Sequence, residues 1–240
     1  MKALTIHPIN EDLRFLKKFV SKLKQQYPDI VKTISLSNNN RSHEAAINEI
    51  NSLSENDTII FLSHGATRAI HGCEYRARYA SHAQQFIFNE QNENDYFIDK
   101  NNIEILKGKK VFCLSCNSDT LGKLAIEAGA QVFIGFSTID FDDRNELLPS
   151  QNPRQYVIAK TKFALRESVF NSISLALNKN LSFYQLSHLL KITLNKEMDN
   201  LILKNKGKPG FTYYKTAANC LLTIKEGISL FGDGDIKILD

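Results

Sequence analysis

The chain has 240 residues, 42% of them hydrophobic and 23% charged, with 30 Lys+Arg against 26 Asp+Glu and four cysteines. This composition excludes a disordered or collagen-like chain, and four Cys at 73, 113, 116 and 220 are too sparse for a disulfide scaffold. A formal charge of +4, spread along the chain, argues for neither nucleic acid nor an anionic membrane as partner.

Short β-branched runs alternate with amphipathic stretches, the pattern of βαβ units in a mainly parallel sheet with helices on both faces. Ala3 to His7 reads as the first strand. Asn10 offers an N-cap to a helix whose Leu13, Leu16, Phe19, Val20 and Leu23 share a face up to the break near Pro28. Val31 to Leu36 is a second strand. A helix with Ala45, Ile47, Ile50 and Leu53 follows, then a third strand at Thr58 to Leu62. Residues 66 to 100 lose the rhythm around a short run at Phe86 to Phe88 and read as an exposed connection with hairpin character.

Regular structure resumes with an apolar strand at Lys109 to Ser115. Leu121, Leu124, Ala125 and Ala128 then fall at helical spacing and close on Gly129 as C′ residue. Gln131 to Phe136 is the next strand. After an acidic loop, Asn152-Pro153 reads as N-cap and N1 of a long helix to about Asn178, and Ser182 caps a second to about Asn205. The Lys206 to Gly210 run breaks the chain. A helix at Thr216 to Glu226 and two short strands around Gly232-Asp233-Gly234 complete a single α/β domain over 1–240. No stretch approaches eighteen apolar residues and no secretory signal opens the chain, so a cytoplasmic protein without membrane contact is expected.

Two apolar strands run into residues of a reactive type. Ile59-Ile60-Phe61-Leu62 leads into Ser63-His64-Gly65, and Val111-Phe112-Cys113-Leu114 leads into Ser115-Cys116-Asn117. In open α/β sheets the carboxyl ends of strands line the ligand crevice, so a His and a Cys arriving there on two strands can face each other. A thiolate attacks a carbonyl while an imidazole manages protons, and backbone N–H groups hold the oxyanion. Cys116 precedes a helix whose N-terminal dipole should lower the thiol pKa, and Gly65 lets backbone approach without a Cβ in the way.

An apolar strand ending in His-Gly, a spacer, and an apolar strand ending in Ser-Cys together resemble the caspase-like clan CD cysteine peptidases, with CHAT and gingipain-type members nearest. Gly122 to Phe136 is similar to the helix–Gly-Ala–strand stretch after the nucleophile, and Leu230 to Asp235 resembles a late Gly-Asp-Pro turn with Gly234 in place of Pro. The resemblance implies a caspase-like doubly wound sheet and a thiol endopeptidase. In it Cys116 is nucleophile, His64 is general base and acid, and the N–H groups of Gly65 and Cys116 form the oxyanion hole. It implies a protein or peptide substrate, an activating protein partner, and no metal or organic cofactor.

Other residues fit simpler roles. Cys113, three positions from Cys116 on an extended strand, points to the opposite face and reads as core. His71-Gly72-Cys73 lacks a preceding apolar strand, and no Arg follows Cys116 as a thiol phosphatase would require. By the same resemblance, Asp140, Asp142, Asp143 and Glu146 fall in the region that contributes to the pocket for the residue before the scissile bond, where they would select basic side chains, and a solvated polar loop explains any one of them at least as well; Arg68, Arg76 and Arg78 equally could line the cleft and favour acidic substrates. Two readings compete with the peptidase: an idle scaffold or binding subunit on the same fold, and a thiol redox protein using Cys113 and Cys116.

Overall fold

A computed structural model describes residues 2–10, 12–37, 39–72, 96–141 and 151–240. Its centre is a six-stranded sheet made from the strongest apolar runs in the sequence. β1 (Ala3–Pro8), β2 (Val31–Leu36), β3 (Thr58–Leu62), β7 (Lys110–Leu114) and β8 (Val132–Phe136) run parallel, and β9 (Ile228–Gly232) pairs antiparallel with β8. The order across the sheet is β2-β1-β3-β7-β8-β9. The chain leaves β1 first to one side and then to the other, which opens the crevice expected at the carboxyl ends of the central strands.

Every residue of β3, β7 and β8 is buried, as strands covered on both faces must be. Alternate residues serve opposite cores. Ile60, Leu62, Phe112, Leu114 and Ile134 pack with α1 (Lys17–Gln26), α4 (Gln151–Lys179), α5 (Phe183–Leu203) and α6 (Phe211–Glu226). Ile59, Phe61, Val111, Cys113 and Phe133 face α2 (Asn40–Ser52) and α3 (Ser118–Glu127) through Ile50, Leu121 and Ala125. Each fully buried Leu, Ile or Phe contributes about 1.5–3 kcal/mol, so both faces hold the sheet. The predicted α/β class with helices on both faces is therefore observed.

The departures have local causes. Asn10 does not cap α1: its Oδ1 accepts from the Asp12 N–H in a local turn, and a 3-10 turn at Arg14–Leu16 precedes the helix. α4 begins at Gln151, which puts Asn152 and Pro153 inside its first turn instead of at its edge. There the missing proline N–H would have had no helical partner in any case. α6 starts at Phe211, five residues before the expected Thr216, because Gly210 takes a left-handed conformation immediately after the break. Ser182 does cap α5, in a full capping box with Gln185. Gly129 follows α3 with φ +96°, the conformation expected of a C′ glycine.

The connection at 66 to 100 begins as a hairpin, β4 (Gly65–Ala66) with β5 (Ala69–His71), and β5 pairs antiparallel with β6 (Tyr96–Ile98). The run expected at Phe86 to Phe88 lies outside the described residues, as do Cys73, Arg76 and Arg78. Near Gly232 there is one strand, β9, in place of the two expected; beyond it Lys237 makes a single bridge to Ser182. The tail is clamped at the amino-terminal edge of the sheet. The fully buried Lys110 donates from Nζ to the carbonyls of Lys237, Ile238 and Asp240 at 2.8, 3.2 and 3.1 Å, and Thr58 donates to the Ile238 carbonyl at 2.6 Å. Among the described residues, no helix is long and apolar enough to cross a membrane.

Candidate active site

β3 and β7 are hydrogen-bonded neighbours in parallel register, with Leu62 opposite Leu114. The register persists past the strands, because the Ser63 N–H donates to the Leu114 carbonyl at 3.2 Å. Counting on by one residue sets position 64 opposite position 116, on chains about 4.8 Å apart at the strand spacing. Gly65 confirms the approach: a Cβ built there would lie 2.1 Å from the Cys116 carbonyl oxygen and 2.2 Å from Ser115 Oγ. Any side chain at 65 would force the His64 segment off the Cys116 segment. The two chain segments that carry the predicted His and Cys thus lie against each other.

The His64 segment is held by the hairpin. The His71 N–H donates to the His64 carbonyl at 2.9 Å, and the Ser63 hydroxyl donates to the His71 carbonyl at 2.6 Å. On the other strand, Asn117 adopts a left-handed conformation (φ 55°) that turns the chain into α3. Ser118 pins this turn, donating from Oγ to the carbonyls of Ser115 and Cys113 at 2.7 and 2.9 Å and accepting from the Phe136 N–H at 2.9 Å. Ser115 Oγ is buried against Gly65 and finds no hydrogen-bond partner among the described residues.

The protonation states follow from burial. Desolvation pushes His64 down to about 4, with the Asp12 carboxylate pulling it up and the Lys162 ammonium adding to the fall. His71 is also held down to about 4 by burial, and by the charge His64 would carry. Burial raises the Cys116 thiol; a backbone hydrogen bond with Ile139 lowers it and the Asp140 charge raises it, while the Sγ–H donates to the Ile139 carbonyl at 3.6 Å. This corrects the expectation that the α3 N-terminus would lower it, since the desolvation outweighs the dipole. At neutral pH the imidazole is therefore neutral and the thiol protonated.

Residues that sequence reasoning did not single out complete the surroundings. Asp12 and Phe15 follow β1, Phe141 follows β8, and Lys162 reaches in from α4. The two rings meet edge to face at 5.6 Å, and Lys162 Nζ lies 5.4 Å from the Phe15 centroid and 5.1 Å from that of Phe141 while donating to the Asp12 carbonyl at 3.3 Å. No local signal marks Lys162, because only the packing of α4 on the sheet delivers it.

The pocket residues separate. Asp140 is exposed, close enough to act on Cys116 electrostatically. Asp142, Asp143 and Glu146 lie outside the described residues. Arg68 is exposed at the tip of the β4–β5 hairpin, and its backbone N–H donates to Thr120 Oγ1 at 2.9 Å, beside the start of α3. Cys113 is fully buried in the sheet, on the face packed against α2 and α3, and its thiol is pushed up strongly by desolvation. Cys113, Cys116 and Cys220 are separate thiols, and among the described residues no group of three or more His, Cys, Asp or Glu could hold a metal ion. No protein-family model, no curated protein and no solved structure matches this chain.

Proposed function

We propose that the protein is a cysteine endopeptidase of caspase-like type, with Cys116 as nucleophile and His64 as general base and acid. The observation that carries this reading is the seating of Gly65 on the carbonyl of Cys116, which leaves the two reactive side chains on adjoining strand ends at the mouth of the central crevice.

Chemistry starts from the neutral pair. As Cys116 Sγ attacks a peptide carbonyl carbon, its proton passes to His64; the carbonyl oxygen becomes an oxyanion held by backbone N–H groups, with those of Gly65 and Cys116 assigned to it. Collapse breaks the C–N bond, and His64 protonates the departing amine. Water, deprotonated by His64, then hydrolyses the thioester and restores the thiol. An imidazole that stays neutral through neutral pH is able to accept the thiol proton. For this transfer the Sγ–H leaves the Ile139 carbonyl and turns to the imidazole.

The raised Cys116 thiol gives the idle-scaffold reading its one specific support, because a resting site without a thiolate is also what a non-catalytic relative would show. A fluorogenic peptide library separates the two. The wild type should cleave a subset of sequences, and Cys116→Ala and His64→Ala should each reduce the rate to background. Cleavage surviving in Cys116→Ala refutes the mechanism, and a wild type silent on all sequences refutes the peptidase reading in favour of the scaffold.

A further inference from the structure

The small net charge of the chain conceals two one-sided stretches. Residues 147–166 contain Arg154, Lys160, Lys162 and Arg166 and no Asp or Glu; residues 200–225 contain Lys204, Lys206, Lys208, Lys215 and Lys225 and again no acid. The first stretch includes the start of α4, and the second covers the end of α5, the turn after it and most of α6. Tertiary structure joins them. The Tyr156 hydroxyl of α4 donates to the Tyr214 hydroxyl of α6, with the rings edge to face at 5.6 Å, and Tyr213 lies 6.4 Å from Tyr156. Lys160 Nζ stands 5.0 Å from the Tyr156 centroid and 6.0 Å from that of Tyr214, and Lys208 is near enough to act electrostatically on Tyr214.

Lys204, Lys206, Lys208 and Lys215 are exposed, and among the described residues no carboxylate lies within salt-bridge distance of them or of Lys160. Large apolar groups stand among these cations. Leu203, adjacent to Lys204, is 71% exposed; Phe163, 54% exposed, shares a helical face with Tyr156 and Lys160 at i, i+4 and i+7.

An anionic partner would match the charge of this surface, but not every polyanion fits it. Lys160 already lies over faces of Tyr156 and Tyr214, which removes the open stacking platform that single-stranded nucleic acid uses. A phosphate backbone would also leave Leu203 and Phe163 with nothing to bury against, whereas leucines at helical spacing among glutamates would satisfy both the cations and the apolar groups.

We propose that this face, formed by the start of α4, the start of α6 and the turn between α5 and α6, docks an acidic amphipathic segment of a partner protein. The assignment is independent of the peptidase reading. The test is fluorescence anisotropy on the full chain with a labelled peptide of Glu and Leu at helical spacing. Parallel arms use a Glu/Ser peptide of equal charge, a dT20 oligonucleotide, and phosphatidylserine/phosphatidylcholine vesicles. The Glu/Leu peptide should bind, more weakly as salt rises, and the joint Lys160→Glu and Lys208→Glu variant should lose about tenfold or more in affinity. Leu203→Ser should lose a few-fold. If the first variant fails to fold by circular dichroism, Lys204→Glu with Lys206→Glu on the exposed turn serves in its place. No binding of the Glu/Leu peptide, equal binding of the Glu/Ser peptide, binding unchanged in a folded charge-reversal variant, or tighter binding of dT20 or vesicles would each overturn the proposal.

Discussion

Acidification should unfold this protein through its buried histidines. His71 is 9% exposed, and burial brings it from its ordinary 6.5 down to about 4. Between those values the unfolded chain takes up a proton that the folded chain refuses, so stability is fully present above pH 6.5, falls with pH, and stops falling near pH 4. A shift from 6.5 to about 4 amounts to about 3 kcal/mol at most, most of which is spent by pH 4.5. His64 moves over the same window, but it is partly exposed and its charge is one cause of the His71 shift, so the two contributions overlap and do not add. The assay is urea unfolding from pH 7 to pH 4.5 for the wild type and for His71→Gln. Carboxylates titrate in both proteins and cancel in the difference. The wild type should lose about 2 kcal/mol more than the variant over this range. Parallel curves would show that His71 titrates alike in folded and unfolded chains, and the reasoning from burial would be refuted.

Three further outcomes follow from single contacts. Gly65→Ala places a Cβ against the Cys116 carbonyl and should cost about 1–3 kcal/mol in urea unfolding; stability equal to wild type would contradict the close approach of the two strand ends. Lys110→Met takes the Nζ donor from three tail carbonyls, leaving only that of Ile238 a second donor among the described residues, in Thr58, and should destabilise by about 2–3 kcal/mol, with amide exchange accelerated at 236–240; unchanged exchange there would mean that the clamp is idle. Alkylation of Cys116 by iodoacetamide in the substrate-free protein should be slow at neutral pH and accelerate only above the ordinary thiol pKa, and rapid alkylation at pH 6 would show a thiolate that burial was expected to suppress.

What was legible in the sequence depended on how local its cause was. β3 carries its boundaries in the chain itself, because an uninterrupted apolar run flanked by polar turns has few ways to be buried, and β2 carries its own in β-branched residues set between polar turns. The arrival of His64 and Cys116 on neighbouring strand ends was legible in a similar way, since each lies just past an apolar run. Asn10 misled because a side chain suited to capping is equally suited to a turn with the residue two further on. The direction of the Cys116 shift depended on how deeply the fold buries the thiol, and the Lys162 contacts on α4 crossing the sheet beside the loop after β1. Neither is written within a few residues of the group it affects.

The central claim is that His64 and Cys116 act as one catalytic unit, and covalent capture of the nucleophilic sulfur, alkylated as a carboxylate leaves the probe, tests it most directly. Intact-mass and peptide-mapping spectrometry after incubation with a pool of peptidyl acyloxymethyl ketones should find one adduct per chain, on Cys116, and His64→Ala should form it far more slowly although its sulfur is still present. An adduct that forms equally well without His64, or one that falls on Cys113 or Cys220 while Cys116 stays unmodified, would contradict the account.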